Sequence, residues 1–361
     1  MHEPWIRLDN HYFSLQEIKS GSYPATFIDF HKSSLDFCRE WLNGKESFIL
    51  QTSGSTGTPK KITATRNQFT ASAQLTASAL GLHNNHTSLV CLDTRYVAGV
   101  MMLVRSLETG MNIILVEPAS NPLEKLAPDV IIDFTAMVPL QLETILKSSQ
   151  QEILNKIKIV LIGGAAINTS TVTELDGMQC SFFSTYGMTE TLSHIALQKL
   201  NGADAHDFFQ ALSGITLAQD ERGCLVIHAP HISTHAIITN DLVELLNSSQ
   251  FRWLGRVDNI INTGGVKVIS EKIEASIQSI LDGLNIHNRL FVAALPDVLL
   301  GESVNLFLEG APLSTSVEEL VHKLLIEVLS KFERPKSIRY IKTFVNTTTG
   351  KINKISTIAS I

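Results

Sequence analysis

The sequence predicts an α/β protein: a large layered domain with a mostly parallel sheet over residues 1–255, then a small α+β domain over residues 256–361. Three observations carry that prediction. Short apolar or β-branched runs alternate with helical patterns up to about residue 200, as in layered folds with a largely parallel sheet. After residue 220 the runs shorten and turns divide them. From Arg256 onward, two helices with clean apolar faces are interleaved with strands in about 105 residues, a natural size for a separate unit.

In chain order, residues 1–45 mix aromatic and polar side chains and offer one short helical pattern, 33–41. Phe48-Ile49-Leu50 reads as a strand end. Thr65-Arg66-Asn67-Gln68 has the form of a capping box, and Phe69, Ala73, Ala77 and Leu80 share one helical face, so a helix is expected there. Strands are expected at 88–92, 112–116, 130–134 and 159–162, and helices at 100–107, 139–146 and 168–175. Short strands follow at 224–228, 236–238 and 251–254. The last unit reads as a hairpin over 257–268 turning at Thr263-Gly264-Gly265, helix 271–281, strands 290–295 and 304–308, helix 317–329 and strand 338–344. Its helices carry the apolar faces Ile273/Ile277/Ile280/Leu281 and Val317/Leu320/Val321/Leu324/Val328.

Hydrophobic residues make up 44% of the chain and charged residues 18%, which supports a sizeable core and excludes disorder. Net charge is -6, from 29 basic and 35 acidic residues, and no basic stripe appears, which argues against nucleic acid as a partner. Cys38, Cys91, Cys180 and Cys224 are widely separated and form no CxxC pair, as expected for reduced, buried cysteines. No apolar stretch approaches a membrane span, and the N-terminus lacks the apolar run of a signal peptide, so a soluble cytoplasmic protein is expected.

Residues 51–61, QTSGSTGTPKK, form the most informative segment. Glycines at Gly54 and Gly57 allow positive φ and close approach, while successive N–H groups and hydroxyls can converge on an anion beside Lys60 and Lys61. The spacing differs from GxxxxGK[ST], because the glycines are three apart and a proline precedes the lysines. Alone, such a Ser/Thr/Gly cluster is also ordinary loop punctuation.

It does not stand alone. TSGSTGTPK, Tyr186-Gly187-Met188-Thr189-Glu190, Thr239-Asn240-Asp241, Gly255-Arg256-Val257-Asp258 and Gly350-Lys351 occur in that order, and together they resemble the motifs of the adenylate-forming superfamily. That superfamily comprises acyl-CoA and aryl-CoA synthetases, carrier-loading adenylation domains and luciferases. The resemblance implies an enzyme that uses ATP, Mg²⁺ and coenzyme A to turn a small-molecule carboxylic acid into a thioester through an acyl-adenylate. It also implies a first subdomain much shortened ahead of residue 52.

By that resemblance Thr52, Ser53, Gly54, Ser55, Thr56, Gly57 and Lys60 hold the β- and γ-phosphates. Gly163, Gly164 and Ala165 resemble the adenine-side loop; read alone they are equally a strand-to-helix turn. Tyr186 would flank the adenine beside Gly187, Thr189 would contact the α-phosphate and Glu190 would bind Mg²⁺, an ion that takes a carboxylate plus phosphate oxygens. Read alone, Glu190 is an ordinary surface carboxylate. Asp241 would accept from the ribose hydroxyls, since an ionised carboxylate is acceptor-only, and Arg256 would also reach the ribose. Asp258 matches the hinge, Gly264 and Gly265 the face turned to the nucleotide for thioester formation, and Lys351 the catalytic lysine. The lead-in Asn346-Thr347-Thr348-Thr349 departs from the usual proline-containing one.

The compact form, YGMTET followed by Leu-Ser-His, and Thr135-Ala136-Met137-Val138-Pro139 look most like the o-succinylbenzoate–CoA ligase family of menaquinone biosynthesis. That family's acid is an aromatic keto-diacid, so one carboxylate reacts and the other needs a cation or strong donors. Arg105 resembles an arginine of that family; Tyr96 holds a position often taken by histidine or an aromatic; Ser193 and His194 could line the same pocket. Arg105 is equally readable as a structural arginine. His228, His231 and His235 have helical metal-ligand spacing, but Ala229-Pro230 interrupts any helix there and no acidic or cysteine partner accompanies them. Alternatives are another aryl- or acyl-CoA ligase, a carrier-loading enzyme, or a nucleotide-binding homologue without turnover. Oligomeric state has no signature in the chain.

Overall fold

Thirteen strands form the central sheet of the computed structural model, which describes residues 3–24, 28–51, 61–346 and 352–360. Six neighbouring strands run parallel: Trp5–Leu8, Asn112–Leu115, Thr87–Val90, Phe134–Met137, Ile159–Ile162 and Ser181–Gly187. The central strands Asn112–Leu115 and Thr87–Val90 are buried along their whole length, as suits strands covered on both faces. Leu89 and Ile114 face one core together with Leu142 and Ile145 of helix Pro139–Leu146. Val90, Ile113 and Leu115 face the opposite core, with Leu35 and Cys38 of helix Asp29–Leu42 and Met102 and Leu103 of helix Val97–Thr109. Beyond Gly187 the sheet continues antiparallel through His194–Lys199, Phe209–Ala211, Gln250–Arg256, Ile237–Asn247, Cys224–His228 and Thr216–Gln219. The parallel sheet expected from the alternation is therefore the core of a mixed one.

Local signals placed most elements. Thr65 caps helix Arg66–Leu80: its hydroxyl accepts from the Gln68 amide at 3.3 Å, and its own amide donates to Gln68 Oε1 at 2.8 Å. The strand expected at 130–134 lies instead at Phe134–Met137. Asp133 marks its entrance, with a buried carboxylate that accepts from the Thr87 amide at 2.7 Å and pairs with Lys158, while Ile131 stands 74% exposed. Several elements were not expected from the sequence, among them the hairpin Trp5–Leu8/His11–Ser14 on the sheet edge, strand Lys61–Thr65 against Ser47–Gln51, helix Gln151–Lys156 and strands His194–Lys199, Phe209–Ala211 and Thr216–Gln219.

A second sheet holds Val266–Ile269, Ile260–Thr263, Gly301–Glu309 and Leu290–Asp297 in that order, with Ser337–Ile341 parallel to Gly301–Glu309. Helices Ser270–Gly283 and Thr315–Val328 cover it through Ile273, Ile277, Leu281, Val321 and Leu325. Leu320 and Val328, expected on the buried face, are exposed, because the stripe that meets the sheet is the narrow line Val321, Leu325, Leu329. Among the described residues no helix is long and apolar enough to cross a membrane.

Candidate active site

Three consecutive residues at the carboxyl end of strand Ser181–Gly187 tie the candidate site together. Ligands in parallel α/β sheets sit at such strand ends. The hydroxyl of Thr185 occupies the space a Cβ on Gly163 would need, so the Gly163-Gly164-Ala165 turn after strand Ile159–Ile162 lies directly against it. Gly164 takes a φ of 88° and, with Ala165, is exposed. Tyr186 donates its hydroxyl to Asp241 Oδ2 at 2.7 Å. Gly187 lies against the backbone of Ser193 and His194, where an added Cβ would fall 2.5 Å from His194 Cα, so no larger residue fits.

Asp241 is buried and receives three donors: Tyr186, Trp253 Nε1 at 3.4 Å and Arg256 Nη1 at 3.4 Å. Arg256 Nη2 also donates to Asp258 at 2.7 Å, and Asn240 donates to the same carboxylate at 3.2 Å. Antiparallel pairing of Asp241 with Arg256 sets this geometry. Trp253 was missed by sequence reasoning; its alternation with Gly255 on the strand opposite Asp241 is the signal that could have found it. The Tyr186 ring, expected to flank adenine, packs on Phe209 and Phe251 with centroids 5.7 and 4.9 Å away, leaving the residue 9% exposed. Here it acts through its hydroxyl. Burial, then the Asp241 charge, raises its pKa.

Thr189–Thr191 form one 3-10 turn, closed by the Met188 amide donating to Thr191 Oγ1 at 2.9 Å. Leu192 follows with a φ of 63°, a left-handed conformation that a buried leucine rarely adopts, and it turns the chain back into strand His194–Lys199. Glu190 is exposed and Thr189 half-buried. One accessible carboxylate fits a magnesium ion whose other ligands are phosphate oxygens and water.

The same reversal delivers Ser193 and His194 to Arg105. Arg105 Nη2 donates to Ser193 Oγ at 2.5 Å and His194 Nδ1 at 3.3 Å. The arginine is 3% exposed, its Nε is buried without a partner, and no described carboxylate pairs with it. Burial pulls its pKa down to about 9, which leaves it charged at neutral pH. Tyr96 caps the start of the helix that carries Arg105, nine residues away, or roughly 13 Å along the axis, so the two are not neighbours.

Gly264 and Gly265 form the turn between Ile260–Thr263 and Val266–Ile269, with φ of 58° and 80°. Thr52, Ser53, Gly54, Ser55, Thr56, Gly57, Lys60 and Lys351 lie outside the described residues. The chain on either side of them is paired, Gln51 with Lys61 and Asn346 with Ile352. Among the described residues no group of three or more His, Cys, Asp or Glu could hold a metal ion.

A family described as AMP-binding enzyme matches residues 34–213. An AMP-forming acyl-CoA synthetase/AMP-acid ligase II-like protein from Dyadobacter fermentans, known by crystal structure, is 39% identical, with 94% of this chain and 97% of that one covered and a TM-score of 0.63. The 2-succinylbenzoate–CoA ligase of Lactococcus lactis is 23% identical over 325 residues, 85% of this chain and 70% of the ligase. The O-succinylbenzoate coenzyme A synthetase of Bacillus subtilis, solved with ATP and a magnesium ion, shares the fold with a TM-score of 0.72 at 20% identity, over 86% of this chain and 69% of that one.

Proposed function

The chain belongs to the AMP-binding enzyme family, and on that premise we propose that it activates o-succinylbenzoate as its adenylate and passes the acyl group to coenzyme A. An AMP-forming acid–CoA ligase solves one chemical problem in two steps. A carboxylate is a poor acyl donor because its charge repels nucleophiles and oxide leaves badly. Its attack on the α-phosphorus of ATP expels pyrophosphate, and thiol attack on the acyl-adenylate then expels AMP. Preorganised donors around the phosphates favour both displacements.

The observation that carries the choice of acid is Arg105, a buried guanidinium without a carboxylate partner among the described residues. Buried charges are strongly disfavoured unless paired, so the second carboxylate of a diacid is its natural partner. An arginine also binds a carboxylate through more than one N–H. Succinylbenzoate–CoA ligases among the relatives support the same acid.

In this reading Gly163, Gly164 and Ala165 border the adenine, Asp241 and Arg256 hold the ribose, and Thr189 with Thr52–Lys60 binds the phosphates. Glu190 holds a magnesium ion, which neutralises phosphate charge. Lys351 bridges the reacting carboxylate and the α-phosphate. The small domain turns about Asp258 between steps and brings Gly264 and Gly265 to the nucleotide. The test is acid-dependent pyrophosphate release with ATP and Mg²⁺, then coenzyme A addition, for o-succinylbenzoate beside benzoate, coumarate and fatty acids. Preference for the diacid is expected. Turnover of a mono-acid with none of the diacid overturns the assignment of substrate.

A further inference from the structure

Behind Arg105 a chain of hydrogen bonds reaches a residue that no motif contains. His194 Nε2 lies 3.0 Å from Thr76 Oγ1, on helix Arg66–Leu80, and Thr76 Oγ1 lies 3.2 Å from the Ser72 carbonyl. Thr76, His194 and Arg105 are 0%, 9% and 3% exposed. Donor counting orients the chain. A guanidinium only donates, so His194 Nδ1 accepts from Arg105 and the ring proton sits on Nε2. Thr76 gives its own hydrogen to Ser72 and receives the Nε2 proton on its oxygen. Burial, aided by the Arg105 charge, holds His194 well below the usual histidine range, so the ring stays neutral.

The consequence falls on the guanidinium. Ser193 and His194 both engage Nη2, which leaves Nε and Nη1 without hydrogen-bond partners among the described residues. Resting on the reading of Arg105 as the anchor for the acid's second carboxylate, we infer that His194 and Thr76 are positioning residues that set which nitrogens of Arg105 meet the acid, and hence the preference for a diacid. Without the Thr76 hydroxyl the Nε2 proton has no buried acceptor. Its other position, Nδ1, opposes the N–H of Arg105, and the guanidinium must turn.

Thr76→Val keeps the shape of the side chain and removes the hydroxyl. We expect KM for o-succinylbenzoate to rise about tenfold, the scale of one misaligned hydrogen bond to a charged group, with KM for ATP unmoved. Selectivity for the diacid over benzoate falls with it, and Thr76→Ser restores both. Nitrogen NMR of the ring should show the proton on Nε2 in the wild type and displaced from it in Thr76→Val. Should the valine variant fail to fold, His194→Asn, which retains an acceptor near the Nδ1 position, must keep more diacid selectivity than His194→Leu. Wild-type selectivity in folded Thr76→Val, or equal loss in the two His194 variants, overturns the inference alone. A wild type without diacid preference overturns the reading of Arg105 and the inference with it.

Discussion

The Tyr186 hydroxyl donates to Asp241 Oδ2 at 2.7 Å, joining the last parallel strand of the core sheet to a strand of its antiparallel flank, with both residues buried. Hydrogen bonds to charged groups contribute about 1.5–3 kcal/mol, so Tyr186→Phe should lower unfolding free energy by about that amount. Urea denaturation with an unchanged m-value measures it. The pH dependence has a definite sign. Tyr186 titrates higher folded than unfolded, so above about pH 10 the unfolded chain releases a proton that the folded chain keeps, and stability falls as pH rises. The phenylalanine variant should show a shallower alkaline decline than the wild type; equal slopes would contradict a buried, protonated Tyr186.

Arg105 sets function against stability. A buried cation without a counter-charge disfavours folding, and replacing such charges by apolar residues of similar size is often neutral or stabilising. Arg105→Met should therefore unfold at the same temperature as the wild type or higher, measured by calorimetry without ligands. At the same time its KM for o-succinylbenzoate should rise by about a hundredfold, as expected when a charged contact of about 3 kcal/mol is lost. A large drop in thermal stability would mean that the arginine is structural.

His194 should shape the acid side of the stability profile. Its pKa is lowered on folding, so below about pH 6.5 the unfolded chain binds a proton that the folded chain refuses. Stability present above that pH is lost as pH falls, at up to about 1.4 kcal/mol per unit from this group. His31, His86 and His231 are lowered by burial too and add to the slope. Between pH 6.5 and pH 5, His194→Asn should flatten the decline by about one proton, read from urea midpoints across pH.

Lys351 and Gly265 separate the two half-reactions. Lys351→Ala should abolish acid-dependent pyrophosphate release while leaving thioester formation from supplied acyl-adenylate nearly intact. Gly265→Val should do the reverse, because its φ of 80° strains a branched residue at the turn expected to face the nucleotide in the second step. Equal loss of both half-reactions in either variant would argue against a small domain that changes its face between steps.

Much of this protein is legible in its sequence. The capping box at Thr65 and Gln68, the turn at Gly264 and Gly265, and the strand end before Gly163 are all written in a few adjacent residues. The strand at Phe134–Met137 was displaced by about four residues, because the run 130–134 is as apolar as a strand and only pairing decides where the ladder starts.

By itself the sequence determined the order of the motifs, the types of element that hold them and the family they indicate, since each depends on local residue chemistry and spacing. Only the tertiary structure decided that Thr185, Tyr186 and Gly187 touch three different parts of the site, that Trp253 joins Asp241, and that Arg105 is held through His194 by Thr76. The last of these links residues 89 and 118 positions apart. Such meetings follow from strand register and from which helix faces share a core, and no local pattern encodes either.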